Sequence, residues 1–298
     1  MLGVALVLLG IAGCRNTERS LVSDPYPEFQ WGFTTQNFMA PVPASLEASL
    51  DFITYAREKG FQWIELRDPH ASLTLEECRE ISAFARSSGI EVNYSVQRGL
   101  LAKDFWEVFE RGAARVALFN GPGYYRALAL RGDEPEGWSE KEFEQMVAVA
   151  NEASERAEAL GIRFTVENAD GALDGRGQPY GGMIEFLEAT LPGVTLQLDT
   201  ANLFTGPIAV SPEQARAFVE TYAERVSYLH LKSAQDGVPL RWLDGNPLEF
   251  MTIFDLVSAA GVRHIAIELG PDDDEKRIRQ SMERSVEHLI QKGILRVK

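Results

Sequence analysis

Basic residues are in short supply in this 298-residue chain: 29 Lys and Arg face 44 Asp and Glu, a net charge of −15 with His neutral. A surface of that sign repels phosphate, and no local basic groove stands out, so a duplex nucleic-acid partner is excluded and small neutral or polar substrates are expected. Cysteine is scarcer still, at two residues, Cys14 and Cys78. Long charge blocks are missing, and 25 Gly and 14 Pro are scattered rather than clustered, which excludes disordered and collagenous chains. No G-x-G-x-x-G turn follows the first strand pattern, which argues against a dinucleotide fold. What the chain has is 45% hydrophobic residues, enough for a sizeable core in one large domain.

The first thirteen residues, MLGVALVLLGIAG, are uncharged and almost wholly apolar. They are too few to span a bilayer and match the length of a secretory h-region. Ile11-Ala12-Gly13-Cys14 resembles the bacterial lipobox, in which the cysteine becomes the lipidated N-terminus, although the basic n-region of a signal peptide is lacking. The expected organisation is a lipoprotein signal peptide at 1–14, a polar, Pro-punctuated tether at 15–28 and a folded domain at 29–298. The protein is then exported and lipid-anchored to the bacterial cell envelope on the periplasmic side, with the anchor its only membrane contact. Lipidation of Cys14 leaves Cys78 without a partner for an intrachain disulfide; its helical surroundings mark it as a small buried hydrophobe.

Short β-rich runs recur at 31–35, 61–66, 90–96, 115–119, 162–168, 194–199, 226–232 and 264–269, with amphipathic helical patterns between them. Several of those helices start at Ser and stop at Gly. Eight β-plus-α units in about 270 residues predict α/β architecture, a single-domain (β/α)8 TIM barrel. The interval between the fourth and fifth runs is long, and Tyr124, Tyr125, Arg126 and Trp138 within it are candidates to stack on a sugar ring from a lid.

The last four runs end in Glu167, Asp199, His230 and Glu268, spaced by 32, 31 and 38 positions, about one βα unit each. In a parallel barrel such residues converge on one rim. Three carboxylates at one point repel, and a divalent cation relieves that repulsion. Three oxygen donors with one nitrogen favour Mn2+, Mg2+ or Co2+, with Zn2+ also accommodated. Lys232, two residues past His230, shares its face. Glu65, at the end of the second run, and His70, just beyond it, are at the same rim, and Asn168, Gln197, Asn37 and Asn202 add neutral polar groups suited to hydroxyls. Arg241 and Trp242 are placed to close the site. His264 and His288 read as structural.

V-E-N at 166–168, L-D-T-A-N at 198–202, H-L-K at 230–232 and I-E-L at 267–269 resemble the xylose isomerase-like barrels, the sugar isomerase and epimerase superfamily that includes endonuclease IV. The resemblance implies Glu167, Asp199, His230 and Glu268 as metal ligands, and Glu167 and Glu268 as the carboxylates that move a proton next to a carbonyl, through an enediolate. From their places at the rim, Lys232, Glu65, His70, Asn202 and Asn168 are the expected substrate contacts. Relatives usually have His at the position of Asn202, and often Asp at that of Ser233, so the departures fall around the substrate rather than the metal. With four histidines the chain lacks the set that a trinuclear zinc nuclease needs. Isomerisation or epimerisation of a keto sugar, polyol or sugar acid is expected. The open alternatives are a lyase or dehydratase on a 3-keto sugar or glycoside, and a non-catalytic metal- or sugar-binding lipoprotein. Oligomeric state is not legible.

Overall fold

The β–α alternation is realised as a nearly closed parallel barrel. The computed structural model describes residues 20–129, 139–168, 181–205, 210–245 and 248–298. The expected signal peptide at 1–14 with Cys14, and Trp138, lie outside them. The barrel strands are β1 (Gln30–Thr34), β2 (Trp63–Arg67), β3 (Glu91–Ser95), β4 (Tyr124–Leu128), β5 (Arg163–Glu167), β6 (Val194–Asp199), β7 (Val226–Leu231) and β8 (His264–Ile267). Helices α1 (Leu46–Lys59), α2 (Leu75–Ser88), α3 (Phe105–Val116), α4 (Glu140–Ala159), α5 (Gly181–Ala189), α6 (Pro212–Tyr222), α7 (Phe250–Ala259) and α8 (Glu275–Gln291) follow their strands in turn. Ser45, Thr74, Ser139 and Ser211 cap the N-termini of α1, α2, α4 and α6, three of them in capping boxes, and Gly60 and Gly89 end α1 and α2 in the left-handed region.

Strand order is β3-β2-β1-β8-β7-β6-β5-β4, all parallel. In register, residues facing the helices are apolar: Phe33, Ile64, Val92, Tyr125, Phe164, Leu196, Leu229 and Ile265 are all buried there. Residues facing the axis are mostly polar, among them Thr34, Glu65, Asn93, Arg126, Thr165, Glu167, Gln197 and His230. The helix-facing shell therefore supplies the hydrophobic driving force, and the lumen is free to carry charge. At the N-terminal end the lumen is plugged by aromatics: Tyr124 stacks on Tyr228 at 4.9 Å, and Trp63 meets Tyr228 edge-on. Gly32 makes room for Trp63, since a Cβ there would come within 2.3 Å of the Trp63 carbonyl oxygen.

β3 and β4 close the barrel through side chains and loop rather than through a full ladder. Asn93 Nδ2 donates to the Tyr124 carbonyl (3.2 Å), and the Tyr124 N–H donates to Asn93 Oδ1 (2.8 Å). Above this pair, Leu128 N–H bonds Arg98 O and Leu100 N–H bonds Leu128 O. Asn93→Ala leaves two buried backbone groups unpaired, and is expected to lower unfolding stability by about 2–4 kcal/mol in urea titrations. A loss under about 1 kcal/mol would show that the loop alone holds the seam.

Two expectations change. Residues 115–119 are the end of α3 and the turn after it, and the fourth strand is Tyr124–Leu128. The apolar run RVALF belongs to a helix face: Val116 is buried, and Phe119 stacks on Tyr94 at 5.6 Å. Tyr124, Tyr125 and Arg126 are consequently barrel residues, not a lid; Tyr125 packs outward against Phe109 and Phe164. Within the expected tether, residues 20–28 are docked. Leu21–Val22 pairs antiparallel with Arg296–Val297, Leu21 N–H bonds Gly60 O (2.7 Å), and Tyr26 OH donates to Asp255 (2.6 Å). Buried Leu21, Tyr26 and Phe29 give that segment an apolar footing that its polar neighbours mask in the sequence.

Candidate metal centre and active site

The strand ends bring Glu167, Asp199 and His230 together. One ligand atom from each lies within 4.8 Å of the other two, and all three residues are buried. Glu167 and Asp199 are the last residues of β5 and β6. His230 reaches the same level because of an irregularity: Leu196 pairs with Val226 but Gln197 pairs with Tyr228, so Ser227 is an extra residue in β7. Without this bulge, Leu229 would stand beside Asp199 and His230 would face the helices. Ser227 Oγ holds the bulge by donating to Leu196 O (3.1 Å).

Glu268 follows β8 directly and joins from the other side. Its Oε1 accepts from Lys232 Nζ (2.7 Å), and its Oε2 lies 2.6 Å from His230 Nδ1. Lys232 Nζ is also 3.6 Å from Asp199 Oδ2. Burial alone would raise the Glu268 carboxyl, but Lys232 and His230 outweigh it and hold the group well below the usual range. Asp199 goes the other way. Burial pushes it up to about 7, Lys232 opposes the rise, and the Glu268 and Glu167 charges add to it. Burial also works against a charged His230, yet Glu65 and Glu268 lift it to about 10.

Glu167 Oε2, Asp199 Oδ2, His230 Nδ1 and Glu268 Oε2 are each buried and are held by ion pairs: Arg126 faces Glu167, Lys232 faces Asp199, and His230 and Glu268 face each other. Buried acidic groups gathered at one point are costly, and the ligand atoms of Glu167, Asp199 and His230, within 4.8 Å of one another, are a set that a cation would satisfy. The donor set therefore fits a divalent ion: Glu167, Asp199 and His230 in one group, with Glu268 against His230 and Lys232.

Neutral side chains splint the strand ends that carry these groups. Asn168 donates to Asp199 O (2.9 Å) and accepts from Asp199 N–H (2.6 Å). Thr200 Oγ1 likewise bonds both the N–H and the carbonyl of Lys232. Asn37 brackets Glu268, donating to Ile267 O and accepting from Leu269 N–H. Asn202 donates its side chain to Glu167 Oε1 (3.4 Å), and its N–H to Asp199 Oδ1 (3.0 Å). Asn37, Asn168 and Asn202 thus orient the acidic residues, and Gln197 accepts from Arg126 Nη1 (3.2 Å).

Other expected residues stand apart. His70 is exposed, its carbonyl accepting from Arg111. Trp242 lies under the Arg284 guanidinium at 3.8 Å, and Arg241 pairs with Asp272, so both belong to the wall near α8. His264 opens β8 at the plugged end, 3.2 Å from Glu91, and His288 is on α8. Cys78 is fully buried in α2.

Two lumen residues, Arg67 and Tyr228, escaped the sequence reading as site components, and Arg126, expected on a lid, joins them in the lumen. Arg126 is fully buried, with Nη1 3.1 Å from Glu167 Oε2 and 3.9 Å from Glu65 Oε1. Arg67 bonds Ser95 and Gln97 in the same lumen, and Tyr228 OH donates to Glu65 (2.9 Å). Strand parity carried the signal: Arg67 shares a face with Glu65, and Tyr228 with His230.

A family model described as a xylose isomerase-like TIM barrel matches residues 53–291. The chain belongs to that family. Among solved structures, this xylose isomerase-like barrel is similar to a D-allulose 3-epimerase from Methylomonas sp. at 13% identity and TM-score 0.69, covering 88% of this chain and 97% of that one. It is similar also to a xylose isomerase-like TIM barrel protein from Mycobacterium smegmatis in complex with magnesium, at 15% identity and TM-score 0.66, covering 88% and 97%. A probable 3-DHS dehydratase from Bacillus anthracis matches at 16% and TM-score 0.64, covering 88% and 99%. At such identities the likeness is one of fold. No curated protein matches the chain.

Proposed function

We propose that the protein is a metal-dependent isomerase or epimerase of a keto sugar or a related polyol or sugar acid. The observation that carries this is the convergence of buried ligand atoms from Glu167, Asp199 and His230 at one end of the barrel, with Glu268 against His230. These residues would hold the ion, Mn2+, Mg2+ or Co2+ before Zn2+. A divalent cation bound there would polarise a substrate carbonyl and its neighbouring hydroxyl and offset the charge that develops between them.

The chain supplies the proton chemistry. Glu268, kept ionised by Lys232, accepts or returns a proton on one side, and Glu167, steadied by Arg126 and Asn202, does so on the other. Lys232 is the cation best placed to meet a substrate oxygen, being slightly exposed where Arg67 and Arg126 are sealed. Glu65, Glu167, Asp199 and Glu268 face Arg67, Arg126 and Lys232, so once His230 gives up its extra proton to ligate an ion these side chains leave one net negative charge. A divalent ion makes the balance positive, which suits an anionic transition state.

Metal-loaded protein incubated with free ketoses in D2O tests the reading. A product of unchanged formula carrying carbon-bound deuterium supports it. Release of water or an aglycone makes the protein a lyase, the reaction class of the dehydratase neighbour. Bound metal and sugar without turnover would make it a binding protein.

The lipobox-like sequence at 11–14 supports export and anchoring through Cys14. A free sugar, oxidised glycoside or sugar acid is then a better substrate than a cytosolic phosphosugar. Cys14→Ser is expected to move the protein from the membrane to the soluble fraction; unchanged fractionation would remove the anchor.

A further inference from the structure

The lumen contains a fully buried carboxylate, that of Glu65, whose placement is not that of a substrate contact. Its Oε2 is 2.7 Å from His230 Nε2, its Oε1 accepts from Tyr228 OH at 2.9 Å, and Arg126 Nη1 lies 3.9 Å from Oε1. Every one of these groups is sealed from solvent, at 0% exposure. His230 therefore has two dissimilar sides. Its Nε2 meets a carboxylate held by Tyr228 and Arg126 deep in the lumen, whereas its Nδ1 lies 2.6 Å from Glu268 Oε2, on the side where Glu167 and Asp199 gather and an ion would displace that contact.

We propose that Glu65 is a positioning residue of the metal centre: by accepting the Nε2–H of His230 it commits the imidazole to offering Nδ1 to the ion. This rests on the metal reading above but assigns a role that the reading does not contain. An imidazole can carry its single proton on either nitrogen, and a carboxylate on one side selects the tautomer, fixes the ring plane and strengthens the opposite nitrogen as a donor. Tyr228 and Arg126 keep Glu65 from rotating away. Tyr228 sits two residues before His230 on β7, so one strand carries both the ligand and the hydroxyl that orients its partner.

Glu65→Gln keeps the volume and an acceptor oxygen and removes only the charge, and Tyr228→Phe removes the hydroxyl that holds Glu65. Both are titrated with Co2+ beside wild type, with far-ultraviolet circular dichroism to confirm folding. Glu65→Gln is expected to weaken Co2+ binding by about 10–100-fold at unchanged stoichiometry and to shift the visible bands. Tyr228→Phe is expected to weaken it by less, in the same direction. In Zn2+-loaded wild type, 15N spectra should show His230 protonated at Nε2 and metal-bound at Nδ1. Four histidines in the chain make its signals assignable by comparison with a His230→Asn sample. Equal Co2+ affinity and spectrum in wild type and Glu65→Gln would overturn the inference alone, as would a proton on Nδ1. Wild type that takes up no Co2+ would overturn the metal reading and this inference with it. Should Glu65→Gln not fold, unchanged binding by Tyr228→Phe together with a proton on Nδ1 would overturn the role of Glu65.

Discussion

Asp199→Ala is expected to lose the metal, with affinity falling by more than about 100-fold and the purified protein carrying a small fraction of the wild-type content by elemental analysis. The carboxylate is divided between two tasks. Oδ1 accepts from the N–H groups of Ala201 and Asn202, at 2.8 and 3.0 Å, which fixes the turn after β6. Oδ2 has no directed hydrogen bond and lies 3.6 Å from Lys232 Nζ. Alanine removes both, so Asp199→Asn is the informative companion: it keeps an acceptor for the turn and discards the charge. If Asp199→Asn folds as wild type and also loses the ion, the loss belongs to the ligand and not to the turn. Full metal content in both variants would mean that the ion, if bound, sits elsewhere.

The parts of this fold that were legible in the sequence are those where local pattern and tertiary environment agree. VTLQLD alternates apolar and polar residues and is β6 to the residue, because Leu196 and Leu198 face the helices while Gln197 and Asp199 face the lumen. The fourth strand was not legible. YYRAL has no clean contrast, since Tyr124 fills the barrel plug and Tyr125 the outer shell, while RVALF upstream offered a purer apolar run. That Glu167, Asp199 and His230 meet at one rim could be read from spacing, since each closes one βα unit. The second layer could not. Whether Asn168 meets a hydroxyl or splints Asp199 depends on where strand pairing runs out, and the sequence does not mark that point. Glu65 illustrates the same limit: its position on β2 was evident, but its partner His230 is 165 residues away across the barrel.

Glu167→Gln and Glu268→Gln are the variants that separate the possible reactions. Each glutamine keeps an oxygen donor, so metal content is expected to survive better than in Asp199→Ala, while turnover falls by about 10²–10⁴-fold. Proton exchange distinguishes the two sides. Glu167 ends β5 and Glu268 follows β8, with β6 and β7 between those strands, and the two are held by different cations, Arg126 and Lys232. If they serve opposite faces of one carbon, each variant stops interconversion but keeps deuterium uptake into one epimer, and the two variants keep opposite epimers. If a single base returns the proton to the neighbouring carbon, one variant loses all exchange and the other retains it. Full rates in both would remove these carboxylates from the chemistry and leave them as ligands only. The pattern of exchange therefore assigns epimerase or isomerase before the natural sugar is known, because it depends on which face of the carbon each carboxylate reaches and not on the rest of the substrate.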